Sequence, residues 1–367
     1  MKILVAMSGG VDSSITAKLL KDAGHEVLGC YAKLHGDEAY HERNLANVAK
    51  VAAFLGIDYI CADLTDEFNE AVYLKFVESY KKGLTPNPCA ICNKQIKFGE
   101  LWRVALQNGC EKMATGHYAK IQNGQIYEAK DATKDQSYFL SNISPEMVEK
   151  LVFPLGEWLK TDVKKEAAKF AEISSLATQK ESSEICFVPN EYTEILRRHF
   201  EVDKKGVVRD TSGKVVGEHE GYAKYTIGKR RGFRVDGAHD PHFVLRIDAK
   251  ANEIVVGKFD ELSCFGFETE NLNEFVELGR EFEAWVKVRY RSPKVKCRVV
   301  RLCGESVGGG ENLCDGGESG ECVGGGFGGG VRVELAENAR AVASGQLAVF
   351  YDESGGVVAS GFIKRAL

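Results

Sequence analysis

The stretch KILVAMSGGVDSSITAKLLKDAG (2–24) decides the fold. KILVA (2–6) is a short apolar run and reads as a buried strand. A glycine turn follows, and then DSSITAKLLKDAG, where Ile15, Leu19 and Ala23 recur every four residues on one helical face. Gly9 and Gly10 permit a tight turn and close backbone approach at the start of that helix. Free N–H groups and the positive end of the helix dipole meet there, and Ser8, Ser13 and Ser14 add hydroxyl donors. This is a phosphate cradle. It is not the Walker A pattern, which requires a lysine before the Ser/Thr. Taken alone, SGG is an ordinary glycine turn with an Asp-Ser cap. Its position at the carboxyl end of the first strand of an α/β sheet, where ligands bind, favours a nucleotide.

Outward from this unit the alternation continues. EVLGCYA (26–32) reads as a second strand and 39–56 as a helix with Leu45, Val48, Ala52 and Leu55 on one stripe. DYICAD (58–63) reads as a third strand, 65–82 as a helix, and EKMATG (111–116) as a fourth strand. Uniformly apolar strands alternating with helices predict a parallel sheet covered on both faces. Helical patterns recur at 161–171 and 190–200. Near residue 205 the pattern changes to short strands and glycine turns, and from about 264 strands continue to the barrel-like end ASGQLAVFYDESGGVVASGFI. Residues 304–330 hold 13 glycines in 27 positions and read as a hairpin insertion.

The 367 residues predict two or three domains, and 44% hydrophobic content suffices for packed cores. Net charge is −5, so any nucleic-acid binding needs a local basic patch. VKVRYRSPKVKCRVVR (286–301) has seven basic residues and no acidic one. Alternation of Lys287, Arg289 and Arg291 with Val286, Val288 and Tyr290 predicts one charged strand face suited to phosphates. YAKYTIGKRRGF (222–233) interleaves Lys224, Lys229, Arg230 and Arg231 with Tyr222, Tyr225 and Phe233, a pattern for holding phosphates and stacking bases. MKILVAMSGG does not have the form of a signal peptide, and no apolar run approaches the ~20 residues of a membrane span. A cytoplasmic protein without a membrane partner is expected.

Eleven cysteines at irregular spacing argue against a disulfide framework. Cys30, Cys61, Cys110 and Cys297 read as small buried hydrophobes. NPCAICN (87–93) pairs Cys89 with Cys92, and KESSEICFVP (180–189) adds Cys186. No second CxxC completes a structural zinc site, and no local βαβ context supports a thioredoxin-like pair. Lys94, Lys97 and a helix predicted to start near Asn93 would lower a nearby thiol's pKa.

SGGVDSS resembles the pyrophosphate loop of the ATP pyrophosphatases. TPNPCAICNKQIKFG (85–99), ATGHYAK (114–120), KDQSYFL (134–140), EICF (184–187), YTIGKRRG (225–232), VRYR (288–291) and SGQLAVFY (344–351) resemble the tRNA-specific 2-thiouridylases over nearly the whole chain. The resemblance implies an α/β protein in three parts. A doubly wound parallel-sheet ATP pyrophosphatase domain (adenine nucleotide α-hydrolase-like, 1–204) precedes a central β-rich tRNA-contacting domain (205–263). A β-barrel domain (264–367) ends the chain. The activity implied is ATP-dependent 2-thiolation of a tRNA wobble uridine, by adenylation of C2–O and then sulfur transfer.

By the same resemblance, Mg2+-ATP meets Ala6, Met7, Ser8, Gly9, Gly10, Val11, Asp12, Ser13, Ala32 and Gly116, with Asp12 also catalytic. Cys92 is the nucleophile and Cys186 carries the persulfide. Asn87 and Pro88 present the flipped base, and His117, Lys134, Asp135, Gln136, Arg289, Tyr290 and Gln346 contact tRNA. Implied partners are tRNA and an upstream persulfide donor, a cysteine desulfurase or relay protein, with the chain a monomer. Cys89 departs from the pattern by standing where many members have Asp. Two readings stay open: Cys89 replaces that Asp beside a persulfide relay, or Cys89, Cys92 and Cys186 ligate a [4Fe–4S] cluster. Alternatives for the chain are a tRNA thiolase acting on another base, a small-molecule ATP pyrophosphatase synthetase, and a non-catalytic RNA-binding protein.

Overall fold

The computed structural model describes residues 1–179, 185–188, 190–237, 239–302 and 329–367. Its first layer is a five-stranded parallel sheet of β1 (Lys2–Ala6), β2 (Glu26–Lys33), β3 (Asp58–Asp63), β4 (Lys112–Thr115) and, after the short hairpin β5 (Lys120–Gln122) and β6 (Gln125–Tyr127), β7 (Leu151–Val152). The order is β3-β2-β1-β4-β7. β1 lies at the centre, with Ile3, Leu4 and Val5 fully buried, because apolar groups on both faces of a strand need cover on both. One apolar cluster gathers Ile3, Val5, Ile15 and Val48, and another Leu4, Leu28, Phe68 and Met113. Strand order reverses between β1 and β4, which opens a ligand crevice at their carboxyl ends.

Helix α1 (Val11–Asp22) starts directly in that crevice, and α2 (Glu38–Leu55) covers β2. The helix expected at 65–82 forms in three linked pieces, Thr65–Phe68, a π-helical turn Asn69–Tyr73, and Leu74–Lys81. The helix expected near Asn93 begins earlier, at Pro88. Asn87 caps it by accepting a hydrogen bond from Ala90 N at 3.2 Å, and proline suits its first turn. Cys61 is exposed, contrary to its expected burial, because β3 is an edge strand. Cys30, Cys110 and Cys297 are buried as expected.

The texture change near 205 corresponds to a four-stranded sheet of β8 (Gly206–Arg209), β9 (Val215–His219), β10 (Phe243–Asp248) and β11 (Glu253–Gly257), ordered β10-β11-β8-β9. Then β12 (Ser263–Glu274), β13 (Glu281–Lys287), β14 (Val295–Arg301), β15 (Val331–Arg340), β16 (Leu347–Tyr351) and β17 (Val357–Ala366) close into a barrel, ordered β12-β15-β14-β13-β16-β17. Its interior is filled by Phe267, Val286, Val299, Val333 and Phe350. The glycine-rich run joins the antiparallel pair β14 and β15, which register at Arg301 and Val331. Its residues 303–328 lie outside the described residues.

The barrel is seated on the sheet domain. Leu347, Val349 and Tyr351 share an apolar cluster with Ala90, Cys92 and Ile96. Asn273 Nδ2 donates to the carbonyls of Ser141 and Ile143, and the Tyr138 hydroxyl donates to Leu347 O at 2.7 Å.

Candidate active site

The phosphate loop is built as its sequence predicts. Gly9 has φ +77°, and a Cβ there would lie 2.6 Å from Asn44 O, so only glycine fits. Gly10 caps α1 without a side-chain hydrogen bond, which leaves the helix's first N–H groups free for a ligand. Ser13 Oγ accepts from Ser8 N at 3.2 Å, and both Ser13 and Ser14 hydroxyls donate to Gly10 O. Ala6 ends β1, Met7 N continues the pairing to Cys30 O, and Val11 is buried as the first residue of α1. Ala32 lies half-buried near the end of β2. Gly116 follows β4, and a Cβ on it would stand 2.9 Å from Ser13 N and 3.0 Å from the Asp12 carbonyl carbon. The two crevice walls therefore meet at a glycine.

Asp12 is held from two directions. Lys160 Nζ lies 2.6 Å from each of its carboxylate oxygens, and the Tyr118 hydroxyl donates to Oδ1 at 2.8 Å. Gln136 Oε1 in turn accepts from Tyr118 N. Lys160 escaped the sequence reading because no local pattern links it to a residue 148 positions away.

The second half of the site is the helix Pro88–Cys92 and its continuation. Cys92 is buried, Cys89 half-buried, and the side chain of Cys186 is exposed on the segment 185–188. All three are free thiols. Burial pushes Cys92 up to about 12 and Cys89 up to about 11, and desolvation by surrounding protein atoms also raises Cys186. Lys97 pulls all three down, while Cys186 opposes ionisation of Cys89, and Cys186 and Cys89 oppose that of Cys92. Electrostatically the three thiols form one group around one ammonium.

A [4Fe–4S] cluster on these residues requires their sulfurs to converge. Among the described residues, no three His, Cys, Asp or Glu side chains gather closely enough to hold a metal ion. The thiols as arranged here do not fit a cluster.

The residues expected at tRNA divide by where their side chains point. Asp135 is buried and accepts from Ala129 N, Ser137 N and Ser137 Oγ, bracing its own loop. His117 is buried against Thr115 and Lys97, and Gln136 holds Tyr118. Lys134 is half-buried on the same loop. Gln346 donates to the carbonyls of Thr85 and Pro86, both at 3.0 Å, just before Asn87. Arg289 donates through Nη2 to Ile227 O at 2.9 Å, while its buried Nε has no protein partner. The Tyr290 ring packs against Phe139 with centroids 4.5 Å apart and the planes tilted by 39°.

The basic run differs from its expected form. β13 ends at Lys287, and 288–292 form a turn held by Ser292, so Val288, Arg289 and Tyr290 do not alternate along a strand. Neighbouring strands, and Glu128 just after β6, supply carboxylates that the run itself lacks. Lys294 meets Glu128, Lys296 meets Glu283, Arg298 meets Glu281 and Glu334, and Arg301 meets Glu274. Most of this charge is neutralised by these carboxylates, which leaves Arg291 exposed on the turn and Arg289 half-buried with its Nη2 turned to Ile227 O. In 222–233, Lys224 is likewise paired with Asp203 and Glu220.

A glycine-turn phosphate loop at the switch point of a parallel sheet, opening directly into α1, defines an ATP-pyrophosphatase-type nucleotide domain. Comparison with known proteins narrows this. Residues 1–190 match the tRNA methyl transferase HUP domain family, 193–258 the tRNA methyl transferase PRC-barrel domain, and 320–363 the aminomethyltransferase beta-barrel domain. The tRNA-specific 2-thiouridylase MnmA of Campylobacter fetus is 56% identical over 364 residues, covering 99% of this chain and all of the relative. Those of Campylobacter lari and Campylobacter hominis are 52% and 50% identical, each over 99% of this chain and all of the relative. The chain belongs to the tRNA-specific 2-thiouridylase family. Among the described residues, no helix is long and apolar enough to cross a membrane.

Proposed function

We propose that this protein is an ATP-dependent tRNA-uridine 2-sulfurtransferase that moves sulfur by a persulfide relay. The observation that carries this reading is that Cys89, Cys92 and Cys186 are free thiols, each under the charge of Lys97, in a chain of this family whose phosphate loop lies at the sheet's switch point. Mg2+-ATP enters as substrate on the free amides of α1, and the uridine C2 oxygen attacks the α-phosphorus. Pyrophosphate leaves and a C2–O–AMP adduct forms. The base leaves its stack to be reached, and Asn87 and Pro88, both buried at the start of the thiol helix, set the position of that helix from beneath.

Sulfur arrives on Cys186 as Cys186–S–SH from an external persulfide. The Cys92 thiol loses its proton to solvent, and its thiolate attacks Cys186 Sγ. The bond to the terminal sulfur breaks, hydrosulfide departs with the electron pair, and a Cys92–Cys186 disulfide forms. Hydrosulfide adds at C2 and AMP leaves, giving the 2-thiouridine. An external dithiol then reduces the disulfide with two electrons. Cys89, a neutral thiol at physiological pH with its pKa near 11, fills the position of the family's Asp without taking a proton in this scheme.

The test is a thiolation assay on protein purified free of iron, with Mg2+-ATP, tRNA and a persulfide donor, read as 2-thiouridine by mass spectrometry of nucleosides. Iron-free protein and its Cys89→Ser variant should both produce it. Activity that appears only with iron and vanishes in Cys89→Ser would remove the relay in favour of a cluster.

tRNA contact falls to the face where Arg289 keeps a buried, unsatisfied Nε, since an unmade hydrogen bond at a desolvated cation favours a phosphate acceptor. Asp135, Gln136 and Gln346 shape that surface from beneath. Arg289→Ala should weaken tRNA binding uniformly across sequences and reduce the slope of log K against log salt by about 1. An unchanged slope in filter-binding titrations would return Arg289 to a purely structural tie between turn and central sheet.

A further inference from the structure

The helix carrying Cys89 and Cys92 is irregular. After Pro88–Cys92 it becomes a π-helix over Asn93–Glu100 and returns to α at Leu101–Gln107. Such segments are rare and recur at functional sites. The change of register has a direct effect on one residue. With 3.6 residues per turn, a side chain five positions beyond Cys92 points well away from it. The wider π turn, bonded i to i+5, brings that position back to the same side. The residue there is Lys97.

Lys97 is half-buried and has no carboxylate partner among the described residues. Other lysines near the site are neutralised: Lys160 on Asp12, and Lys33 on Glu38 and Asp63. The titratable groups facing Lys97 are Cys89 and Cys92 on its own helix, Cys186 on the neighbouring segment and His117 beyond β4. Lys97 Nζ stands 3.3 Å from His117 Nε2, and Thr115 Oγ1 stands 2.6 Å from His117 Nδ1. An ammonium only donates, so Nε2 accepts and the ring proton lies on Nδ1, directed at Thr115. Burial first, and the Lys97 charge second, hold His117 well below the usual imidazole range. It therefore stays neutral and keeps its acceptor. Thr115 is the last residue of β4, so the ammonium is fixed to the sheet through His117.

A cation held in a half-buried place without a counter-ion is costly unless an anion arrives during function. The proposed relay generates two anions there in turn. We infer that Lys97 is the charge-compensating residue of sulfur transfer, aimed by the π-helix and propped by His117 to stabilise the Cys92 thiolate and then the departing hydrosulfide. The inference rests on the persulfide relay proposed above. It gives that relay a charge that lowers the cost of ionising a thiol that burial pushes up, since Lys97 pulls Cys92 down against desolvation. From the residues alone Lys97 is one of two basic candidates, with Lys94. Lys94, three positions nearer, has no contact of this kind with the thiols.

The experiment measures thiol reactivity apart from turnover. Full-length protein is alkylated with iodoacetamide from pH 6.5 to 10, and modification of Cys92 and Cys186 is followed by peptide mass spectrometry. The wild-type rate should climb about tenfold per pH unit below the thiol pKa. Lys97→Met should slow Cys92 alkylation about tenfold at a given pH and move the profile to higher pH, and Lys97→Arg should restore most of it. His117→Phe, which removes the prop and keeps the ammonium, should shift the profile in the same direction by less. Sulfide release from protein preloaded with persulfide on Cys186 should slow in Lys97→Met by the same factor as alkylation. A Lys97→Met profile that coincides with wild type, or a defect that arginine does not relieve, overturns the inference and leaves the relay intact. Continued thiolation by Cys92→Ser would sink the relay instead, whatever Lys97 does.

Discussion

Cys186→Ser should abolish thiolation, by at least about a thousandfold, while ATP-dependent adenylation of tRNA continues. Serine keeps the size of the side chain but cannot carry sulfane sulfur. Cys186 is exposed, so its replacement costs little stability and the loss can be read as chemistry. The partner variant separates the two thiols. Cys92→Ser should also stop turnover, yet accumulate persulfide on Cys186 when a donor is supplied, because the group that discharges it is gone. Mass spectrometry of the intact protein distinguishes the two as a gain of one sulfur atom in Cys92→Ser and none in Cys186→Ser. Thiolation by Cys186→Ser at near wild-type rates would exclude a persulfide at that position.

Asp12→Ala should eliminate adenylation and leave tRNA affinity nearly unchanged. Two effects combine in this variant. The phosphate loop loses its carboxylate, and Lys160 is left buried without its counter-ion. Breaking a fully buried pair costs about 3–5 kcal/mol. Asp12 keeps 32% of its side-chain exposure against 9% for Lys160, so about 2–3 kcal/mol is the better expectation. That is enough to lower a melting temperature visibly without unfolding the chain. Ser13→Ala removes a hydroxyl from the same loop and leaves the ion pair in place, which makes it the cleaner probe of nucleotide binding. Pyrophosphate release should fall steeply in both variants, and thermal stability only in the first. Ordinary pyrophosphate release in Ser13→Ala and Asp12→Ala alike would detach nucleotide chemistry from this loop.

Features governed by local chain geometry were legible from the residues. The apolar strand, the glycine turn and the helix at 2–24 need only short-range sterics and periodicity, and they form as read. The closed barrel followed from strand patterning at the end of the chain. Features set by distant partners were not legible. Lys160 reaches Asp12 across 148 positions, and Glu128 neutralises Lys294 across 166. The run 286–301 looked like an open basic face because its carboxylates are contributed by other strands. Cys61 looked buried because an apolar run does not announce that its strand lies at an edge. The helix start at Pro88 was readable in principle from Asn87-Pro88, a cap followed by a first-turn proline, whereas the π register that aims Lys97 has no pattern in the residues. The resemblance supplied Gln346 and Asp135 as tRNA contacts, and the folded chain gives their side chains internal partners.

The two bonds from Gln346 to the carbonyls of Thr85 and Pro86 have a consequence for biosynthesis. The cap residue Asn87 follows immediately, so the thiol helix takes its setting from the residue leading into β16, a strand made some 260 residues later. That strand is itself held by β17, the last to pair. During translation the nucleotide crevice can close early, since β1 to β7 are all made first. The sulfur half stays unbraced until nearly the whole chain has emerged from the ribosome. On the relay proposed above, a nascent chain is expected to form its nucleotide crevice before its thiol helix is braced.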